Sequence, residues 1–186
     1  MGKVHDAIDE RTQEFLLAQH VFFVATAPRE GGHINLSPKG YTSLRVLDAK
    51  RVAYVDYPGS GVETIAHLKE NGRIVIMVCA FEGPPMIVRV YGKGRVVEPD
   101  HAEFSTLLDE FQPLMPVRSI ILIEVERVAD SCGFSVPLFA YEGDRRQLER
   151  WAKKKQREGK LEDYTRRKNL VSIDGLRGLD GLAEDG

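Results

Sequence analysis

From Val21 to Ala129 the chain is a succession of short extended runs separated by turn signals. That spacing leaves few architectures open besides an antiparallel sheet joined mostly by hairpins. Seven runs read this way: Val21–Ala27, His33–Ser37, Leu44–Leu47, Arg51–Asp56, Arg73–Phe81, Met86–Val97 and Ser119–Ala129. In the second, Ile34 and Leu36 alternate with polar neighbours, as in a half-buried strand that Pro38 ends. Arg73–Phe81 is almost continuously apolar, which predicts burial of both faces. Gly92 and Gly94 inside the longest run predict a bend or bulge, a device that closes small barrels. The predicted fold is mainly β with peripheral α: an antiparallel barrel.

Within the stretch Ile34–Val97, the loop Tyr57-Pro58-Gly59-Ser60-Gly61-Val62-Glu63-Thr64 is the most informative. It links an extended run to a short helical pattern, Glu63–Lys69, closed by Asn71-Gly72. Two glycines let a backbone approach a ligand closely. Ser60 and Thr64 add hydroxyls where a helix start offers unpaired amides to an anion. Alone, Pro-Gly-Ser-Gly is also what a tight turn looks like. Lys39, in Ser37-Pro38-Lys39-Gly40, adds the cation that favours a phosphate.

Helical patterns flank the strands. Asp6–Gln19 carries Ile8, Thr12, Phe15, Leu16 and Gln19 on one face and is expected to cover a barrel end. Asp100 and Glu103 read as a capping pair for a helix with Phe104, Leu107, Leu108 and Phe111 on its apolar side, ended by Pro113 and Pro116. Beyond Asp130 the sequence turns charged: Asp144 and Gln147 resemble caps for a helix presenting Leu148, Trp151, Ala152 and Lys155. A glycine-punctuated tail, Asn169–Leu182, follows. This divides the chain into a barrel domain, 1–130, and a C-terminal extension, 131–186, packing on the same domain or on a partner subunit.

Composition excludes several functions. With 42% hydrophobic and 29% charged residues, 186 residues suffice for a real core. A net charge of −2 and acids interleaved with the basic runs argue against nucleic-acid binding. Cys79 and Cys132 form no zinc or disulfide pattern, and His5, His20, His33 and His101 lie at no metal-ligand spacing, so no metal is expected. His67 is expected to be a half-exposed helix histidine. No apolar run approaches a membrane span and no signal-like region follows Met1, so the expectation is a soluble cytoplasmic protein. Pro58-Gly59-Ser60-Gly61 has proline where the nucleophile elbow has glycine, and neither a dinucleotide fingerprint nor a P-loop occurs.

The runs Asn35-Leu36-Ser37-Pro38-Lys39-Gly40, Val52–Thr64, Glu70-Asn71-Gly72-Arg73 and Arg89-Val90-Tyr91-Gly92 together resemble the pyridoxamine 5'-phosphate oxidase-like, FMN-binding split-barrel family. Ser131–Pro137 and Ser172–Leu176 resemble members of an oxidase-related subgroup. The resemblance implies an antiparallel split barrel and a homodimer with two FMN sites at its interface. It implies that Lys39, Ser60 and Thr64 hold the FMN phosphate beside Gly61. The flavin ring would lie along the strands bearing Asn35, Ser37 and Asp56. Arg89 would stand near the ring's pyrimidine edge, the alternative being a surface arginine paired with an acid.

The resemblance also implies an FMN-dependent oxidoreductase acting on a small substrate, with no catalytic residue assigned because the flavin does the redox chemistry. The alternative is a non-catalytic flavin- or haem-binding barrel for storage, sensing or assembly. The chain departs from the true pyridoxamine phosphate oxidases at its end. They finish in a strand whose arginine and histidine grip the substrate phosphate, and this chain ends Glu184-Asp185-Gly186.

Overall fold

The computed structural model describes residues 2–181. In chain order the elements are β1 (Val4–His5), α1 (Glu10–Ala18), β2 (Phe22–Thr26), β3 (Asn35–Lys39), β4 (Leu44–Asp48), β5 (Arg51–Asp56), α2 (Glu63–Asn71), β6 (Arg73–Cys79), β7 (Ile87–Val97), α3 (Phe104–Leu108), β8 (Ser119–Ser131), α4 (Gln147–Arg157) and α5 (Leu161–Asn169). The sheet order is β3-β2-β6-β7-β8-β5-β4, with β1 paired to β8, and every pairing is antiparallel. The sheet curls into a half-barrel whose two edges, β3 and β4, are consecutive in sequence but unpaired: a split barrel.

The glycines of β7 do what their positions predict. The register slips between Tyr91 and Gly92, and a Cβ on Gly92 would stand 2.1 Å from the Glu124 carbonyl oxygen, so only glycine lets β7 lie this close to β8. Gly94 makes room for Leu68 of α2. α2 ends at Gly72 in the left-handed conformation (φ 70°), its amide closing on Leu68.

One core fills the barrel, with Val24, Tyr54, Ile76, Val90, Ile121 and Ile123 beneath Ile65 and Leu68 of α2 and Leu16 of α1. A second, of Ala53, Val55, Val97, Ile120 and Leu122, lies outside the barrel under Phe104, Leu107 and Leu108. β5 and the first part of β8, Ser119 to Ile123, are therefore buried on both faces. Each of their large aliphatic side chains contributes about 1.5–3 kcal/mol by burial. β6 is not the doubly buried strand its composition predicts: Val75 and Met77 on one face are only half-buried.

Other boundaries move for local reasons. β3 runs through Pro38, which an edge strand tolerates because no ladder bond is lost on the solvent side. Asp9 caps α1 by accepting from the Thr12 amide at 2.8 Å. Asp100 does not cap α3, which starts after Glu103 and spans five residues, and Asp144 does not cap α4, which follows Arg146 without a side-chain cap.

After β8 the chain adds the α4–α5 pair, joined by Trp151 edge-on against Tyr164 at 4.7 Å. α5 was not separated in the sequence from the charged run and tail around it. The tail then returns to α2 of its own chain, where Lys69 donates to Gly178 O and pairs with Glu98 and Asp180. Among the described residues no helix is long and apolar enough to cross a membrane, and no group of acids, histidines and cysteines could hold a metal ion.

Candidate functional site

β3 places its polar residues inward. Ile34 and Leu36, expected on the half-buried face, are 81% and 64% exposed, while Asn35, Ser37 and Lys39 face the open end of the barrel. They line a pocket of about 290 Å³ together with Tyr41, Asp56, Pro58, Gly59, Gly61, Glu63, Thr64 and Arg118.

A chain of hydrogen bonds organises its wall. Ser37 Oγ donates to Asn35 Oδ1 at 3.1 Å, and Asn35 Nδ2 donates to Thr64 Oγ1 at 2.9 Å and to Thr26 Oγ1 at 3.3 Å. Thr26 Oγ1 lies 3.0 Å from His67 Nδ1. His67, contrary to expectation, is completely buried, and burial pushes its pKa down, which keeps the imidazole neutral.

Charge is concentrated at Asp56. Its carboxylate is 2% exposed and pairs with Lys39 Nζ at 3.1 Å across the split in the barrel, and with Arg118 Nη2 at 2.7 Å. Burial pushes the Asp56 carboxyl up; the Arg118 guanidinium and the Lys39 ammonium outweigh it and hold the group below the usual carboxylate value. Arg118 also donates to the carbonyls of Gly59 at 3.2 Å and Gly61 at 2.8 Å, so it braces the glycine loop. Among the described residues Lys39 has a single carboxylate contact, and its side chain is partly exposed, so its ammonium can turn to an incoming anion.

The start of α2 completes the pocket. Val62 is its N-cap and provides no side-chain cap, so the first amides of the helix have no side-chain partner. An anion gains from those donors and from the helix dipole. Glu63, also in the lining, opposes this charge in part. The chain between β3 and β4 is held in an uncommon conformation, with Tyr41 and Thr42 at φ 60° and 54°, in the left-handed region that costs about 1–2 kcal/mol for ordinary residues.

Of the residues singled out in sequence, Asn35, Ser37, Lys39, Asp56, Gly61 and Thr64 come together in this pocket. Ser60 lines the adjoining groove, which also holds His33, Ile34, Asn35, Leu36, Gly61, Glu63 and Ile173. Arg89 is in neither; it lies on β7 and donates to Ser131 Oγ at 3.3 Å rather than to an acid. Arg118 escaped the sequence reading, because nothing in Pro116-Val117-Arg118 signals a partner 62 residues upstream. Tyr41 escaped for a related reason, since no spacing rule foretells a tyrosine at positive φ.

Fold and site define an antiparallel split barrel with a polar pocket at its open edge, lined by Lys39, Asp56 and Arg118. The family model described as pyridoxamine 5'-phosphate oxidase matches residues 8–132, and the chain belongs to that family. It is similar to the pyridoxamine 5'-phosphate oxidase family protein ustO of Aspergillus flavus, at 36% identity over 97% of this chain and 79% of the relative. Among solved structures it resembles HupZ of Group A Streptococcus, with 25% identity and a TM-score of 0.55 over 67% of this chain and 99% of that one. A Lactobacillus delbrueckii protein shares the fold, at 21% identity and a TM-score of 0.52 over 67% of this chain and 94% of that one.

Proposed function

We propose that the protein binds FMN, with the phosphate in the pocket at the start of α2, and serves as an FMN-dependent oxidoreductase on a small organic substrate. The observation that carries this reading is the convergence of Lys39, Ser37 and Thr64 with the uncapped amides of α2 in one pocket. A phosphate dianion matches that donor set. At about 290 Å³ the pocket suits the phosphate end of a flavin mononucleotide rather than all of it. The groove that shares Asn35, Gly61 and Glu63 with it gives the rest of the cofactor room along β3.

In this reading Lys39 supplies charge, Thr64 supplies a hydroxyl donor, Ser37 orients Asn35 by donating to its Oδ1, and Arg118 holds the loop. Asp56 keeps Arg118 and Lys39 in position until a phosphate competes for Lys39. Bound flavin supplies the hydride or electron transfer itself. The chain is proposed to act as a homodimer, since the aliphatic rim of the groove, Ile34, Leu36 and Ile173, is solvent-exposed in one subunit.

The test is the visible spectrum of the purified protein, followed by titration with FMN. A flavin spectrum, with an FMN affinity above that for riboflavin, is the expected result. A haem spectrum, or indifference to the phosphate group, would overturn the assignment. For the reaction, bound flavin is expected to be bleached anaerobically by a nicotinamide donor or a small amine. Pyridoxamine phosphate is expected to give little turnover, and inertness toward every donor would leave only flavin binding.

A further inference from the structure

The segment beyond residue 132, where the family match ends, comes back to the pocket from behind the glycine loop. Asn169, the last residue of α5, is 0% exposed. Its Nδ2 donates to the Gly59 carbonyl at 3.1 Å and lies 3.5 Å from the Ser60 carbonyl, and its Oδ1 has no partner among the described residues. A wholly buried amide with an unsatisfied acceptor is costly for stability alone. Its placement is fixed by the tail: Leu179 N donates to Asn169 O at 3.1 Å, and Gly178 N donates to Leu170 O at 2.7 Å. The packing is close enough that a Cβ on Gly178 would stand 2.1 Å from Asn169 O and 2.8 Å from Val62 Cγ2.

The consequence follows from peptide geometry. In a trans peptide the N–H of the next residue points opposite to the C=O. Asn169 and Arg118 between them hold the carbonyls of Gly59, Ser60 and Gly61. The amides of Ser60, Gly61 and Val62 are thereby turned away from those two side chains, forming a run of donors of the kind that receives anions. We infer that the C-terminal segment is a clamp acting in cis, and that Asn169 is a positioning residue that sets the glycine loop for the phosphate of the ligand. This rests on the phosphate reading of the pocket for its purpose, though not for its geometry.

Asn169→Leu keeps the number and branching of side-chain heavy atoms and removes the donor; Asn169→Asp keeps the shape and cannot donate. Backbone amide NMR order parameters measured without added flavin are expected to fall over 59–62 in both variants, with α2 and the β-sheet unchanged. FMN affinity is expected to fall about tenfold, and affinity for riboflavin, which lacks the phosphate, by less than about twofold. Asn169→Ser, which retains a short donor, covers the case in which Asn169→Leu does not fold, with the same readouts and a smaller effect. Unchanged order parameters over 59–62 overturn the clamp, as does an equal loss of FMN and riboflavin, which is the mark of a merely structural residue. If the wild-type protein binds no FMN, the flavin reading fails, and the order parameters still decide the clamp.

Discussion

Lys39 and Asp56 show how one ion pair can serve both the fold and the site. If Lys39 holds the phosphate of FMN as proposed, Lys39→Ala removes a charged hydrogen bond worth about 1.5–3 kcal/mol, and FMN affinity is expected to drop by at least about tenfold. The fold is expected to survive, because Asp56 retains Arg118 at 2.7 Å. Fluorescence titration together with a melting curve separates the two effects. Asp56→Asn acts differently, since it leaves the buried Arg118 guanidinium without its carboxylate, a loss of about 3–5 kcal/mol at neutral pH. The Asp56 carboxyl is held below its ordinary value of 3.8 in the folded chain. Its contribution is therefore complete above that value and lost as the pH falls through the lower, folded one. Melting temperatures across pH are expected to show a constant gap between wild type and Asp56→Asn above about pH 4 that narrows under stronger acid. A gap that widens on acidification would mean that Asp56 is not the stabilised carboxylate.

At the scale of elements, what the sequence disclosed depended on whether the signal was local. β5, β7 and the end of α2 were legible because their causes lie within a few residues: an apolar run between turns, a glycine at a bulge, a glycine in the left-handed cap. Six of the eight nominated site residues line one pocket because two local runs meet across the split, Asn35, Ser37 and Lys39 on β3 and Asp56, Gly61 and Thr64 on the stretch from β5 into α2. The facing of β3 was misread because alternation shows two faces without saying which is inside. His67 was misjudged because a polar residue on a short helix gives no notice that Thr26 waits beneath it. Arg118 and Asn169 contribute through contacts 62 and 110 residues away in sequence, which no periodicity encodes. The bulge offers a direct check. Gly92→Val places a side chain against the Glu124 carbonyl and is expected to cost about 1–3 kcal/mol, read as a lower denaturation midpoint. An unchanged midpoint would show that β7 and β8 can separate there without loss.

The whole molecule has an asymmetry that one subunit does not resolve. Its barrel is closed by paired strands everywhere except between β3 and β4, and the β3 edge carries Ile34 and Leu36 into solvent beside Ile173 of the tail. An unpaired edge strand with aliphatic residues is normally shielded by charge, by a bulge or by another chain. β3 has Pro38 and Lys39 near its end, but its own residues next to Ile34 and Leu36, Asn35 and Ser37, carry no charge. The expected cover is a second copy, placed over the groove that continues the phosphate pocket, with a total buried area of at least about 1,200 Å². Leu36→Lys would put an ammonium into that contact while leaving the core of its own subunit untouched, since Leu36 packs on nothing inside. Sedimentation equilibrium at micromolar concentration is expected to give a dimer for the wild type and a shift toward monomer for Leu36→Lys. Flavin affinity is expected to fall in parallel, because the groove beside Ser60 and Gly61 would lose its outer wall. A wild-type monomer that binds flavin fully would place the whole cofactor site within one chain and leave the exposed β3 face without this explanation.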